Sequence, residues 1–307
     1  MVPSPDITKI GDTSMGIDRV ELKRQSRERI ALTDPKFWIV ALAYLAMTTG
    51  VSWLVSLIPV PSGGTGPVFD LSLFFQLLLT FYTTVVRFGL CLWALWTYRQ
   101  LDPDVNSLMQ GFSVAGRVIL MELGIYVRVL GWYFVVAFVL SIPVFFLLLM
   151  DAGSGIGMLS LLILAVGLIA TIIFFNLRFA LAPYLLDDRP DDGPTAPIFR
   201  SSSLMRGWKW ELFKLEFSFL GWEAINFVLS KGVILLFLSQ AGLLTTNLFL
   251  DDALLNQAID LIYSAPVVIL STLVTVPVSL WLIPYRETAR AGFYDARLLA
   301  ASDAMDQ

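Results

Sequence analysis

The chain has 307 residues, of which 57% are apolar, 13% aromatic and 15% charged, and its formal net charge is −4. A soluble domain of this length could not bury so large an apolar fraction, so the composition excludes an ordinary soluble protein and indicates a bilayer environment. The sequence has no histidine and a single cysteine, Cys91. These two facts exclude an internal disulfide, Ser-His and Cys-His nucleophile pairs, and most transition-metal sites.

Residues 1–36 are polar and contain both basic and acidic side chains. They lack the apolar core and the small-residue cleavage site of a signal peptide, so we expect the first apolar span to be retained. The pattern predicts a cytoplasmic N-terminal segment at 1–36 that includes a basic helix.

Six later segments reach the length of about 20 apolar residues that crosses a hydrocarbon core about 30 Å thick. They lie at about 37–60, 71–96, 126–150, 158–186, 215–241 and 258–284. We therefore predict an all-α fold, a polytopic six-helix transmembrane bundle at 37–286. Short outer connections would make it three helical hairpins, and 287–307 would form a cytoplasmic C-terminal tail.

Lysine and arginine occur only in alternate connections between these spans. Arg99 and Arg117 follow the second span, and a larger basic group lies between Arg189 and Lys214, whereas 61–67 and 151–157 contain no basic residue. Positive residues near span ends resist translocation. The asymmetry predicts a multi-pass protein of the cell membrane with both termini in the cytoplasm.

A short motif occurs twice, as Ser-Leu-Met-Gln-Gly-Phe at 107–112 and as Ser-Leu-Met-Arg-Gly-Trp at 203–208. Gly131-Trp132 and Gly221-Trp222 then recur at a later point in each copy. The recurrence predicts parallel repeats of one hairpin unit, related by an axis along the membrane normal. Such units could surround a central path or pack solidly.

The segments before the third and fifth spans have the pattern of cytoplasmic amphipathic helices lying in the headgroup region. In the second of these segments, Ile198, Met205 and Leu212 recur at roughly helical spacing, beside basic and aromatic residues. We expect membrane lipids with anionic headgroups as partners of this segment, although an elbow that merely orients the next span has the same pattern. The expected headgroup residues are Arg200, Arg206, Trp208, Lys209 and Trp210.

Charged side chains within spans cost about 2.5–3.5 kcal/mol each, so each one needs a partner or a purpose. Arg87 and Glu223 lie at similar predicted depth and could pair, and Lys231 could pair with Asp260. These four residues either line a polar path or form ion pairs that hold neighbouring helices together. Four further charges lie near cytoplasmic span ends, where they can pair or snorkel: Glu122, Arg128, Arg178 and Glu216.

The C-terminal third resembles the DUF975 family of prokaryotic integral membrane proteins. The residues that carry the resemblance are Ala182-Pro183-Tyr184, Asp188-Arg189-Pro190, Arg200-Ser201, Leu204-Met205, Gly207-Trp208-Lys209-Trp210, Leu212-Phe213, Leu215, Ser218-Phe219, Gly221-Trp222, Pro284-Tyr285 and Gly292-Phe293-Tyr294. The resemblance implies a six-span membrane protein. It brings no biochemical activity and no catalytic residue with it, and Glu216 and Glu223 depart from a usually apolar or hydroxylic segment.

Few groups of residues in the sequence have a pattern typical of catalysis or metal binding. Ser230 and Lys231 are adjacent and point about 100° apart on a helix, so they do not form a Ser-Lys nucleophile. The acidic loop with Asp187-Asp188 and Asp191-Asp192 could hold a divalent cation or be a solvated turn. We therefore expect no enzyme, no cofactor, no metal and no nucleic-acid partner, and the sequence leaves a protein partner or homo-oligomer open.

Two functions follow from these patterns. The first is transport or passage of a small solute, ion or lipid across the cell membrane, which the in-span charges and the repeated hairpin plan favour. The second is a non-catalytic membrane interaction or lipid-organising protein, which the basic interfacial segments favour. A continuous polar cavity reaching Arg87, Glu223 and Lys231 would distinguish the first from the second.

Overall fold

The structure is a computed structural model that describes residues 17–56, 71–150, 155–245, 248 and 251–303. Every regular element within those ranges is a helix, in agreement with the all-α prediction. In chain order the helices are α1 (Arg19–Ala31), α2 (Phe37–Leu45), a π-helical turn (Ala46–Gly50), α3 (Val51–Ser56), α4 (Leu71–Tyr98), α5 (Ser107–Ser113), α6 (Ala115–Met150), α7 (Gly155–Phe179), α8 (Ala182–Asp188), α9 (Ala196–Leu204), α10 (Lys209–Phe217), α11 (Leu220–Gln240), α12 (Asp252–Ile262), α13 (Ala265–Leu273) and α14 (Val276–Asp303).

Several parts of the sequence predictions lie outside the described residues. They are the start of the N-terminal segment at 1–16, the end of the first predicted span at 57–60, the glycine-rich connection at 61–67, residues 151–154 of the next outer connection and the end of the predicted tail at 304–307. The described part of the N-terminal segment contains α1, which Asp18 caps by accepting hydrogen bonds from the amides of Val20 and Glu21. The basic helix predicted in this segment is therefore observed.

Within the described ranges, five stretches are long and apolar enough to cross a membrane: Phe37–Val55, Phe74–Tyr98, Ala115–Leu147, Gly157–Asp188 and Leu220–Gln240. The bent pair of α12 and α13 is a candidate for a sixth. In α6 and in α11, only 6% of an apolar stretch of 18 residues is buried within the protein, and in α7 the buried share of such a stretch is only 11%. Water would be a costly environment for such surfaces, so these helices are suited to lipid. The chain has the architecture of a multi-pass membrane protein.

The sixth predicted span, 258–284, is not one continuous helix. It contains α12, α13 and the start of α14, and α12 and α13 are bent by 54° relative to each other. Pro266 and Pro277 lie in the first turns of α13 and α14. Because proline has no amide hydrogen to donate, it is tolerated in a first turn and disrupts the helix before it. Pro277 thus marks the start of α14 within the sixth predicted span.

The largest buried cluster lies at the C-terminal end of α4, where Trp93, Ala94 and Leu95 have no exposed surface. Side chains of α1, α2, α8, α10 and α14 complete this cluster. Half of the apolar 18-residue stretch of α4 is buried within the protein, far more than in α6, α7 or α11. One end of the molecule therefore has a packed interior, and the long apolar helices extend from it.

Helix α14 is part of that interior. Ala289, Phe293 and Tyr294 are completely buried, and α14 packs along α1, α2 and α4. The sequence predicted a tail from residue 287 onward, but the described residues up to Asp303 continue the helix. Gly292 allows the close approach, because a Cβ at this position would lie 2.4 Å from the Tyr98 ring.

The twice-occurring motif folds differently in its two copies. In the first copy, Gly111 lies within α5, and a Cβ there would be 2.5 Å from the carbonyl oxygen of Val85 on α4. In the second copy, Gly207 has φ +82° and lies between α9 and α10. That left-handed conformation favours glycine. The two glycines thus serve different purposes, and the motif does not identify one structural repeat.

The contact between α4 and α5 gives a test of this packing. A Cβ on Gly89 would lie 2.3 Å from the carbonyl oxygen of Leu108, so Gly89→Ala must push the two backbones apart. We expect the variant to be destabilised by about 1–3 kcal/mol. Gly131→Ala is the matched control, because no described atom beyond its own helical backbone lies within 4 Å of its would-be Cβ. Thermal unfolding of both variants in detergent measures the difference, and equal midpoints would contradict the packing.

Candidate functional site

The main candidate site is a cavity of about 700 Å³ among α4, α6, α7, α10, α11 and α14. Most of its wall is apolar, with Phe88 from α4, Ile125 from α6 and Phe213 from α10 among the lining residues. Six charged side chains also line it: Arg87, Glu122, Glu216, Glu223, Arg286 and Arg290. The volume and the mixture of apolar walls with a few polar groups are typical of a small-molecule site.

Four of these charges form one ion-pair network that joins α10 and the start of α11 to α14. Arg286 donates to Glu216 Oε2 at 2.7 Å and to Glu223 Oε1 at 2.9 Å. Arg290 donates to the other oxygen of Glu216 and to Glu287 Oε1, the latter at 2.7 Å. Two guanidinium groups therefore bind three carboxylates, and each residue of this network has at least one oppositely charged partner.

Glu287 links the network to the buried part of the wall. The Tyr184 hydroxyl on α8 lies 3.4 Å from Glu287 Oε2, within donating distance, and the Cys91 thiol lies 3.9 Å from the same oxygen. Cys91 is buried and reduced, which agrees with its position in an apolar run. These contacts connect α4, α8 and α14 beside the cavity, which Cys91 also lines.

Arg87 and Glu122 have no such partners. Both line the cavity, Arg87 from α4 and Glu122 from α6, and each affects the other electrostatically. Within the described part of the chain, neither forms a hydrogen bond or an ion pair through its side chain. Arg87 is an exposed residue although its neighbours Val86 and Phe88 are buried. Its exposure arises because it faces the cavity.

The mouth of the cavity lies on an apolar surface. Phe217 at the end of α10 is 60% exposed, Leu220 at the start of α11 is 51% exposed, and Ile173 on α7 is 40% exposed. These side chains adjoin the apolar faces of α7 and α11, two of the stretches that could cross a membrane. The cavity therefore opens beside surfaces that are suited to lipid.

The structure brings Arg87 and Glu223 into one cavity but does not pair them. Glu223 instead accepts a hydrogen bond from Arg286, which lies at the predicted boundary between the transmembrane bundle and the C-terminal tail. Glu223, the predicted partner of Arg87, therefore pairs with a residue of α14. This happens because the packing of α14 along α4 brings Arg286 and Arg290 to the cavity. The sequence missed both arginines, since basic residues after a span also fit a cytoplasmic connection.

Lys231 and Asp260 lie away from the cavity. Both are exposed, and the Lys231 ammonium lies 5.8 Å from the centroid of the Phe227 ring. No ion pair joins Lys231 to Asp260 where the chain is described, so the second predicted pair is not formed. Lys231 is also absent from the lining of the cavity, so the cavity does not reach it in the part of the chain that the structure describes.

The apolar residues of the segment before the fifth span pack against the protein. Ile198, Met205 and Leu212 are buried, and Gly207 divides the segment into α9 and α10. Their apolar face is therefore not free to lie in the headgroup region, as the sequence predicted for a single interfacial helix.

The five expected headgroup residues differ in their contacts. Arg200 pairs with Asp192, Trp208 lies 4.2 Å from the Arg297 guanidinium, and Lys209 lies 4.8 Å from the Phe174 ring. Arg206 is exposed and Trp210 is 64% exposed. The last two are the members of the set that are most accessible to a headgroup.

A second charged cluster holds the packed end of the molecule together. Arg99 donates to both oxygens of Asp188 at 2.6 and 2.8 Å, and to Asp295 Oδ1 at 2.8 Å. Tyr294 donates to Asp188 Oδ2 at 2.7 Å, which with burial raises the pKa of the Tyr294 hydroxyl. The bidentate contact joins the end of α4 to α8 and α14.

These contacts also occupy the acidic loop that the sequence left open as a cation site. Asp188 binds Arg99 and Tyr294, Asp187 accepts a hydrogen bond from the Trp96 indole at 3.2 Å, and Asp192 pairs with Arg200. Each of these carboxylates therefore has a protein partner, and a structural role explains them.

Removing the central cation of this cluster tests its contribution. Arg99→Ala leaves Asp188 and Asp295 without their guanidinium partner, and we expect a loss of about 2 kcal/mol, smaller than for a fully buried pair because the three side chains are 22–28% exposed. Arg24→Ala is the control, because Arg24 pairs with Glu21 and Glu28 on the exposed face of α1. Thermal unfolding in detergent should lower the midpoint of the first variant only. Equal midpoints would mean that the Arg99 cluster does not stabilise the fold.

Comparison with known proteins agrees with the sequence resemblance. The family model described as "Protein of unknown function (DUF975)" matches residues 15–300, which is nearly the whole chain. No curated protein and no solved structure matches the chain. The α8 to α11 region and α14, which carry the motif residues, also provide much of the cavity wall and of the Arg99 cluster. The chain belongs to the DUF975 family.

Proposed function

We propose that this protein is a non-enzymatic protein of the cell membrane that binds a small charged or amphipathic molecule in its cavity and passes it across or within the bilayer. The observation that carries the proposal is the cavity itself, in which Arg87 and Glu122 have no hydrogen-bond or ion-pair partner among the described residues. Charges in such an environment are costly unless something compensates them. A bound ligand would provide that compensation.

The fixed charges of the cavity support a binding role over a purely structural one. Interhelical clasps bring opposite charges into contact, as Arg286 does with Glu216 and Glu223. Arg87 lies on α4 beside this network, but it is directed to the open volume. The cavity thus contains a set of charges that stabilises the helices and a second set that is available to a ligand.

The position of the cavity is suited to passage. With both chain ends in the cytoplasm, as the distribution of basic residues predicts, the end of α4 and the start of α11 lie on the cytoplasmic side. The cavity would then open in the cytoplasmic half of the bilayer. A molecule bound there has crossed only part of the membrane, so we propose that a second arrangement of the helices completes its passage.

An enzymatic function has less support. The sequence has no histidine, and the Cys91 thiol beside the charged network is buried. Catalytic cysteines act as thiolates and lie in accessible, electropositive surroundings, whereas the acceptor nearest to Cys91 is the carboxylate of Glu287. We therefore propose binding and passage without covalent chemistry.

The second candidate function is lipid organisation at the headgroup region. Exposed Arg206 and Trp210, beside Lys209, are the residues that favour it, because basic and aromatic side chains together suit the membrane interface. In that case the protein would retain anionic lipids on its surface, and the cavity would not be needed.

Flux through proteoliposomes tests the main proposal. Wild-type protein should release or translocate at least one member of a panel of small solutes, ions and fluorescent lipids faster than protein-free liposomes. Arg87→Ala should reduce that flux by at least tenfold, because it removes the available cation of the cavity. Lys231→Ala is the matched control, since Lys231 is an exposed in-span cation outside the cavity, and it should keep wild-type flux.

Two outcomes would overturn the proposal. One is flux no faster than in protein-free liposomes for every member of the panel, which would favour lipid organisation instead. The other is an equal effect of Arg87→Ala and Lys231→Ala, which would mean that flux does not depend on the cavity.

A further inference from the structure

The two available charges of the cavity have opposite signs and lie on neighbouring helices. Arg87 on α4 presents a guanidinium, which prefers carboxylate or phosphate oxygens. Glu122 on α6 presents a carboxylate, which accepts hydrogen bonds from an ammonium. The two affect each other electrostatically but are not in contact, so space remains for a ligand to bind both.

The sign of the surrounding charges restricts the ligand further. The neighbouring network consists of Glu216, Glu223, Glu287, Arg286 and Arg290, so it has one more carboxylate than it has guanidinium groups. A ligand that carried only an anionic group would satisfy Arg87 and leave Glu122 uncompensated beside this excess. A ligand that carried only a cation would leave Arg87 without a partner. One molecule with both groups compensates both residues.

The apolar part of the cavity adds a third requirement. Ile173, Phe217 and Leu220 surround its mouth, and Phe213 and Ile125 line its interior. A purely polar zwitterion would leave these apolar surfaces exposed to water or to an unfilled part of the cavity. An apolar tail extending from the charged end toward the mouth would bury them, with a gain that is roughly proportional to the area covered. Since the mouth adjoins apolar helix faces, such a ligand would enter laterally from the bilayer.

We propose that the cavity is a site for a zwitterionic amphiphile, that is, a lipid-like molecule with an ammonium group, an anionic phosphate or carboxylate, and an apolar tail. Arg87 binds the anionic group, Glu122 binds the ammonium, and the tail lies along Phe213, Phe217 and Leu220. This inference rests on the proposed function in taking the cavity as the working site, and it specifies the class of molecule that binds there.

Calorimetric titration of the purified full-length protein in maltoside detergent tests the ligand class without any substitution. The probes are dihexanoyl phosphatidylethanolamine, which has both charges, dihexanoyl phosphatidylglycerol, which has only the anionic one, and glycerophosphoethanolamine, which has the same headgroup and no tails. We expect the first to bind about tenfold more tightly than either of the others, as one charge-assisted hydrogen bond or a buried tail would give. Equal affinity for the two lipids would overturn the role of Glu122, and equal affinity for the tail-less headgroup would overturn the amphiphile.

Substitutions then assign the two charges. Glu122→Gln should abolish the preference for the ethanolamine lipid over the glycerol lipid, and Arg87→Gln should weaken both by about tenfold. Asp260→Asn and Lys231→Gln are the matched controls, since both residues are exposed and lie outside the cavity lining. The controls should keep wild-type affinity and preference, and a control that loses the preference would contradict the assignment.

Binding and flux can fail separately. Selective binding of the ethanolamine lipid without flux in proteoliposomes would overturn the proposed passage and support the site. Flux of a solute together with no selectivity between the two lipids would overturn the site chemistry and support passage. The two experiments therefore distinguish the inference from the function on which it rests.

Discussion

The packing of α14 against α4 is the interaction on which the rest of the structure depends. Gly292 brings the two helices to a separation at which a Cβ would lie 2.4 Å from the Tyr98 ring, and Ala289 and Phe293 are completely buried in the contact. Along this contact α14 places Arg286 and Arg290 in the cavity and Asp295 beside Arg99. One helix contact therefore establishes both the charged network of the cavity and the ion pairs at the packed end.

The molecule combines two physical regimes. At the end of α4 it has a dense interior with buried aromatic side chains, where ion pairs such as Arg99 with Asp188 are partly shielded from water. The long helices α6, α7 and α11 expose most of their apolar side chains, and only a bilayer makes that arrangement favourable. The cavity lies where the two regimes meet. Its charged wall comes largely from the packed side, and its apolar mouth adjoins the lipid-facing helices.

The sequence predicted the features that depend on composition and local pattern. Membrane class, helical fold and family follow from apolar length and motif residues, and Arg87 was recognised because a charge within a span needs a partner or a purpose. The sequence predicted correctly that Arg87 and Glu223 lie close enough to share one region of the protein, but not that they are unpaired. Helical depth can be counted along a chain, but the rotation of each helix and the identity of its neighbours cannot. For that reason the sequence paired Glu223 with Arg87, whereas the fold pairs it with Arg286.

The parts that the sequence missed arise from tertiary contacts with weak local signals. Basic residues of α14 look like residues of a cytoplasmic connection, and only the burial of Tyr294 and Ala289 shows that the helix is a wall of the molecule. Gly207 was one member of a repeated motif, yet its φ of +82° gives it a purpose that Gly111 does not share. Glu122 had the same status as several other charges near span ends, and only the cavity distinguishes it.

Amide hydrogen exchange of the full-length protein in detergent tests most directly whether α14 is a packed wall of the cavity, because protection reports burial and hydrogen bonding of each segment. The structure predicts that amides of 282–298 in α14 exchange as slowly as those of 88–97 in α4. Exchange of 287–298 at the rate of an unprotected peptide would show a free tail and would contradict the account.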